Sequence, residues 1–244
     1  MVTKIFMAAA IIAGTLSSRA FATTEEPFFP TKAGIVLEYE HKDATGKVNF
    51  VTADSITTFT GDFNNGKVTS IGLQRVNNKE QGISVKKTVL LKEGEVIIDL
   101  ASIMQSTIKE TMKLSLIEAG ASETEMKELD QVMENLKIEG ECRGIPIKLA
   151  TGMKLPDYAI TFTIAFVKSK IKCYNRKVIG QETINTEAGT FDCYIVEETF
   201  ETKMAGVSEK STTKSWYARG IGIVKEETYE KKKLVQSREL ISIL

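Results

Sequence analysis

A period-two alternation of apolar and polar side chains runs through most of this chain, cut into segments by tight-turn sequences, and it constrains the fold more than any other feature. Ile35, Leu37 and Tyr39 alternate with Val36, Glu38 and Glu40 before Asp43-Ala44-Thr45-Gly46 turns the chain. Val48 to Thr60 is rich in β-branched residues and Phe, and Asp62-Phe63-Asn64-Asn65-Gly66 reads as a turn because Asn-Gly tolerates positive φ. Val68 to Val76, Ile83 to Leu91 and Val96 to Asp99 continue the pattern. Strands joined by such short connections become antiparallel neighbours rather than a parallel α/β sheet.

The alternation stops once. Leu100, Ile103, Met104, Thr107, Ile108, Thr111 and Met112 recur at helical spacing. A second helix is expected from Ser122, with Glu125 completing a capping box and a stripe of Met126, Leu129, Val132, Met133 and Leu136. Strands return from Lys137. Gly144-Ile145-Pro146 and Gly152 to Asp157 read as edge or connecting segments, since proline cannot donate to a ladder. Tyr158 to Lys172, Cys173 to Ile184, Phe191 to Lys203, Ser211 to Ala218, Ile221 to Tyr229 and Leu234 to Ile243 complete the set. The expected fold is mainly β with a small helical insert (α+β). It is a curved antiparallel sheet, half-barrel or barrel, of about ten to eleven strands with two amphipathic helices against its concave face.

The first residues read as an export signal. Lys4 precedes an apolar stretch from Ile5 to Leu16, and Ala20-Phe21-Ala22 places small residues where a signal peptidase needs them. The expected organisation is a signal peptide at 1–22 and a single β domain at 23–244, with the helical insert at about 100–136. No Cys follows the apolar run for lipid attachment, and no later stretch is long enough for a membrane helix. A soluble exported protein is expected, periplasmic or extracellular.

Composition excludes several function classes. Lys+Arg and Asp+Glu both number 32, so no basic excess exists to neutralise phosphates, and nucleic acid is not an expected partner. The single histidine, His41, lies between Glu40 and Lys42 and reads as exposed, which leaves nucleophile–histidine systems without a base. There is no Cys-x-x-Cys pair for zinc. Glu197-Glu198 and Glu226-Glu227 read as solvated, because adjacent strand residues point to opposite faces. Lys231-Lys232-Lys233 reads as a solubilising hairpin tip. No catalytic residue, metal ligand or cofactor is expected, and the chain reads as non-enzymatic. Cys142, Cys173 and Cys193 allow one disulfide, with Cys173 and Cys193 favoured as occupants of neighbouring strands; three reduced, buried cysteines fit equally well.

Met104, Ile108, Met112, Met126, Leu129 and Met133 on the two helices are the candidate ligand-binding residues. Flexible methionines suit adaptable apolar contacts, and helices over an open sheet leave room for an acyl chain or other hydrophobic small molecule. The alternative is an envelope interaction or assembly module that binds a protein partner, with methionine filling a fully packed core.

A set of local motifs extends across the mature chain: Phe28-Phe29-Pro30, Gly34, Tyr39, Gly152-Met153-Lys154-Leu155-Pro156-Asp157 and Arg176-Lys177-Val178. Glu182-Thr183-Ile184, Ala188-Gly189-Thr190-Phe191-Asp192-Cys193 and Trp216 to Lys225 complete it. Together they resemble the TapB-like family of exported bacterial proteins of unknown function, whose fold is similar to the LolA-type lipoprotein carriers. Glu187 stands where the family pattern has proline. The resemblance implies a periplasmic location and a curved antiparallel sheet partly plugged by helices. It implies no known reaction and no catalytic residue.

Overall fold

The computed structural model describes residues 25–76, 79–120, 122, 124, 136–164, 167–204 and 206–244. The expected signal peptide and most of the expected second helix, including Met126, Leu129 and Met133, lie outside these residues. Among the described residues two runs of strands flank the helix α1. The first run is β1 (Val36–Asp43), β2 (Val48–Gly61), β3 (Asn65–Val76), β4 (Lys79–Lys92) and β5 (Glu95–Ile98), followed by α1 (Leu100–Glu118). The second is β6 (Lys137–Glu139), β7 (Cys142–Pro146), β8 (Tyr158–Ile164), β9 (Val167–Thr186), β10 (Gly189–Met204), β11 (Val207–Ala218), β12 (Gly222–Glu230) and β13 (Lys233–Ile243).

Among the described residues thirteen strands form one sheet in the order β6-β8-β9-β10-β11-β12-β13-β1-β2-β3-β4-β5-β7. The expected count of ten to eleven was too low, chiefly because β6 and β7 are too short to show a period. The two runs are joined through β13 and β1, which are antiparallel and end with Leu244 and Val36 exchanging backbone bonds of 2.9 and 3.0 Å. The sheet is open, with β6 and β7 as its edges.

Local chemistry explains the connections. Asp43 Oδ1 accepts from the N–H groups of Thr45 and Lys47, which closes the expected first turn. The next turn is displaced from the Asn-Gly pair: Gly61 takes the positive φ of 85°, while Asn65 and Gly66 already belong to β3. Asp62 Oδ1 there accepts from Asn64 and Asn65 at 2.8 Å. Asp99 caps α1 by accepting from Ser102 N at 3.0 Å.

Strong curvature is evident from the packing. Ile145 of β7, near one end of the strand order, packs in one buried cluster with Val178 of β9 and Val196 of β10, near the other end. The segment 152–155 meets β9 as an edge, with Val178 donating to Met153 O at 2.9 Å and Leu155 donating to Arg176 O at 3.0 Å. The N-terminal segment fills the inside of the curve. Phe28 belongs to the cluster around Val178, and Phe29 packs on a second cluster around Ile56 and Val89. A third cluster gathers Leu37, Trp216, Val224 and Leu240, with Phe191 against it.

The bridge expected between Cys173 and Cys193 is not formed. In the β9–β10 register Cys173 faces Phe200 and Cys193 faces Glu182. Nine residues of β9 therefore separate them, about 30 Å of extended strand, whereas a disulfide needs Cα atoms within about 7 Å. All three cysteines are buried free thiols.

Candidate functional site

The inner face of the sheet carries an unexpected row of charged residues. Within each glutamate pair the side chains do diverge. Glu197 and Glu227 point outward and meet Lys214 and Lys225. Glu198 and Glu226 point inward, so the solvated reading fails for both. Glu198 is 6% exposed. Arg176 of β9 places Nε 2.5 Å from Glu198 Oε1 and donates to the carbonyls of Pro156 and Gly144 at 2.8 and 2.9 Å. Two strands further on, Glu226 accepts from Ser215 Oγ at 3.0 Å and pairs with Arg238 of β13 at 3.2 Å. Asp54 and Lys87 pair at 2.5 Å although β3 lies between their strands. Gly72 permits that crossing: a Cβ on it would stand 2.9 Å from Asp54 Oδ1 and 3.0 Å from Lys87 Nζ.

His41 joins this row and is 9% exposed, against the expectation of an exposed residue. Its Nε2 lies 2.9 Å from Thr52 Oγ1, and its ring stacks on Phe50 with centroids 4.3 Å apart. Burial, reinforced by the Arg238 charge, lowers its pKa from 6.5 to about 4. Burial raises the Glu198 carboxyl even though Arg176 opposes the shift. It also raises the phenols of Tyr39 and Tyr217. The Cys173 and Cys193 thiols are pushed up to about 12, again by burial first. These charges are thus matched in pairs, and the thiols are held protonated.

Beside the row lies a cavity of about 270 Å³. Its apolar wall includes Phe28 and Phe29 of the N-terminal segment, Ile56, Val89 and Ile103 of α1. Tyr39, Asp54, Ser70, Lys87, Tyr217 and Arg238 contribute polar groups to the same lining. About 25% of the Arg238 side chain is accessible although it sits on the inner face, because that surface opens on the cavity. The N-terminal segment is pinned over this space. Arg219 donates to Glu26 O at 2.8 Å and Ile147 O at 3.1 Å, meets the Glu25 carboxylate at 3.0 Å, and lies 4.5 Å from the Phe28 ring centroid. Gly220 donates to Pro27 O at 2.8 Å with φ at +68°, and a Cβ there would collide with the Glu26 carboxylate at 2.6–2.7 Å.

Of the candidate ligand-binding residues, Met104, Ile108 and Met112 lie on α1. Met112 is half-buried. Ile103 of α1 stands in the cavity wall. The row itself left a signal in the sequence: Glu226 shares the strand phase of Val224, Arg238 that of Leu240, Lys87 that of Val89, and Arg176 that of Val178. A charge in the core phase of a strand is rare unless it has a partner. Among the described residues no cluster of three metal-ligating side chains occurs, and no helix is long and apolar enough to cross a membrane.

A family model described as DUF3108-like matches residues 32–241. No curated protein matches the chain. Two solved structures share its fold. One is a candidate exported protein with a YmcC-like fold from Bacteroides fragilis, 18% identical, with a TM-score of 0.63 and 90% of this chain and 99% of that one covered. The other is a candidate lipoprotein from Parabacteroides distasonis, 17% identical, with a TM-score of 0.65 and the same coverage. At these identities the likeness is one of fold.

Proposed function

The chain belongs to the DUF3108-like family, and from that premise we propose an exported, non-enzymatic protein that holds a lipid tail or other hydrophobic ligand inside its curved sheet. The observation that carries this reading is the cavity of about 270 Å³, lined mostly by apolar side chains with a few polar and charged ones among them. A dry cavity of ~150 Å³ accepts benzene, and pockets for small organic ligands begin near ~300 Å³. The space therefore suits one acyl segment or a compact apolar molecule better than a whole phospholipid. The polar side chains in the lining, Asp54, Lys87 and Arg238 among them, give the head of an amphiphile groups to meet. Buried charges committed to one another, and thiols held protonated, argue for binding rather than catalysis.

Export has two supports: the signal-like N-terminus and the candidate exported protein and lipoprotein that share the fold. The likeness to TapB-like proteins and LolA-type carriers points the same way, towards the periplasm and a lipidic cargo. An interaction module with a fully packed core accounts less well for the cavity.

Native mass spectrometry of protein purified from cell envelopes, with titration of a fluorescent fatty-acid probe, tests the reading. Val89→Trp, which fills the cavity, should abolish probe binding. Ile56→Ala, which enlarges it, should strengthen binding while lowering stability by about 2–5 kcal/mol. No co-purifying ligand, together with probe binding indifferent to both substitutions, rejects the proposal.

A further inference from the structure

The polar groups of the cavity bear on which head its ligand carries, an inference that rests on the hydrophobic-ligand reading above. The lining holds one carboxylate, Asp54, against two cations, Lys87 and Arg238. Asp54 is committed to Lys87 at 2.5 Å. Glu226, the partner of Arg238, is not part of the lining, and its contacts with the guanidinium are 3.2 and 3.3 Å. Charge-assisted bonds of this kind ordinarily measure about 2.7–2.9 Å. The Arg238 Nε–H is buried and has no acceptor in hydrogen-bond geometry among the described residues. A guanidinium carries several N–H donors, so Glu226 leaves Arg238 with binding capacity to spare where it opens on the cavity.

Two phenols add to this donor set. Tyr39, only 5% exposed, and Tyr217 both line the cavity. Among the described residues neither hydroxyl makes a hydrogen bond. Arg238 lies over the Tyr39 ring, 5.5 Å from its centroid, so guanidinium and phenol share one patch of the lining. Buried donors without acceptors are costly and uncommon in native proteins. A ligand oxygen satisfies them, and an anionic one also meets the loosely matched charge of Arg238. A planar carboxylate presents two oxygens to a guanidinium edge and has lone pairs left for phenol O–H groups. A phosphate head would bring a second negative charge beside Asp54 and Glu226, which like-charge repulsion disfavours.

The geometry points to a carboxylate-headed amphiphile, a fatty acid, held with its carboxylate at Arg238 and the Tyr39 and Tyr217 hydroxyls and its tail along Ile56 and Val89. Displacement of the neutral dye N-phenyl-1-naphthylamine from the purified protein at pH 8 provides the test, with decanoate, decanol, decyl phosphate and inorganic phosphate as competitors. Decanoate should displace the dye at roughly tenfold to a hundredfold lower concentration than decanol, and inorganic phosphate should not displace it. Y39F/Y217F keeps the rings and removes only the hydroxyls; it should weaken decanoate by about tenfold or more and leave decanol unchanged. R238Q/E226Q, which removes both charges together, should abolish the preference for decanoate over decanol. Circular dichroism confirms that each variant folds. Decanol competing as strongly as decanoate overturns the carboxylate assignment while the cavity reading stands. Decyl phosphate competing more strongly than decanoate, or a preference that both variants retain, overturns it as well. If neither the dye nor any decyl compound binds, the cavity reading falls with it.

Discussion

Arg176 Nε lies 2.5 Å from Glu198 Oε1 on the neighbouring strand, with the two side chains only 2% and 8% exposed. The other guanidinium nitrogens hold Pro156 O and Gly144 O. One side chain thus ties β9 to β10, to the edge segment and to β7, and so fixes how far the sheet curls. Removing one member of a buried pair leaves the other charge uncompensated, which costs about 3–5 kcal/mol. Glu198→Ala should therefore lower the urea midpoint strongly. The double change R176M/E198L should recover part of the loss, because it removes both charges. It should not recover all, because two buried carbonyls lose their donor. A double variant no better than Glu198→Ala would mean that the ion pair is not the source of the loss.

His41 makes stability depend on pH in a predictable direction. Its folded pKa is lowered, mainly by burial, from 6.5 to about 4. Between those values the unfolded chain binds the proton and the folded chain does not, so stability falls as pH drops from about 6.5 towards 4. The groups facing it are Thr52, Phe50, Arg238, Glu226, Asp54 and Lys87. The full shift corresponds to about 3 kcal/mol. Glu198 acts in the opposite sense: its carboxyl is raised, so its contribution declines as pH rises above the unfolded carboxylate range. The two are separated by comparing parent and His41→Phe urea curves from pH 7 to pH 4. The variant should lose most of the slope between pH 6.5 and 4.5, and an unchanged slope refutes the assignment.

Alternation in β1 and β12 can be read directly from the residues, as can the Asp43 turn and the start of α1. The inward position of Glu198 cannot. Counting by twos from buried Cys193 puts Glu197 inside and Glu198 outside. Cys193 is the wrong reference point: it is buried in the cluster around Trp216, whereas Tyr194, Val196 and Glu198 share the other face, where Tyr194 and Val196 pack with Phe28, and the one-residue irregularity in the β9–β10 register falls at Ile179 of β9. The Asp54–Lys87 pair is hidden for another reason. Its partners are two strands apart, and only the absence of a side chain at Gly72 lets them meet. The motifs behind the family resemblance were legible as sequence but not as contacts: Phe28-Phe29-Pro30 and Arg219-Gly220-Ile221-Gly222 are distant in the chain, yet in the fold they are one assembly.

The cysteines should behave as inert apolar residues. Cys173 and Cys193 are buried, with thiols pushed up to about 12, and thiolate is the reactive species. A thiol-specific reagent at pH 8 should label neither residue in the folded protein and both in urea. Non-reducing peptide mapping should find no Cys173–Cys193 linkage. Detection of that linkage in natively folded protein would contradict the β9–β10 register itself, because the two residues cannot be brought together without sliding one strand along the other.

Arg219 fastens the segment that walls the interior. Phe28 and Phe29 form part of the cavity wall, and the segment that carries them is held by the Arg219 bonds to Glu26, Ile147 and Glu25, by its contact with the Phe28 ring, and by the Gly220 bond to Pro27. Arg219→Ala removes several of these restraints while leaving the sheet ladder intact. Local opening free energy set by a few hydrogen bonds and one cation–π contact changes by about 1–3 kcal/mol. Amide hydrogen exchange across residues 25–34 should then speed up by about ten- to a hundredfold, with the β9–β10 amides unaffected. Uptake of a hydrophobic probe should accelerate in parallel, because the same segment covers the space the probe must enter. If exchange in the segment accelerates while probe uptake does not, the strap is mobile but is not the door. If neither changes, Arg219 is not what holds it.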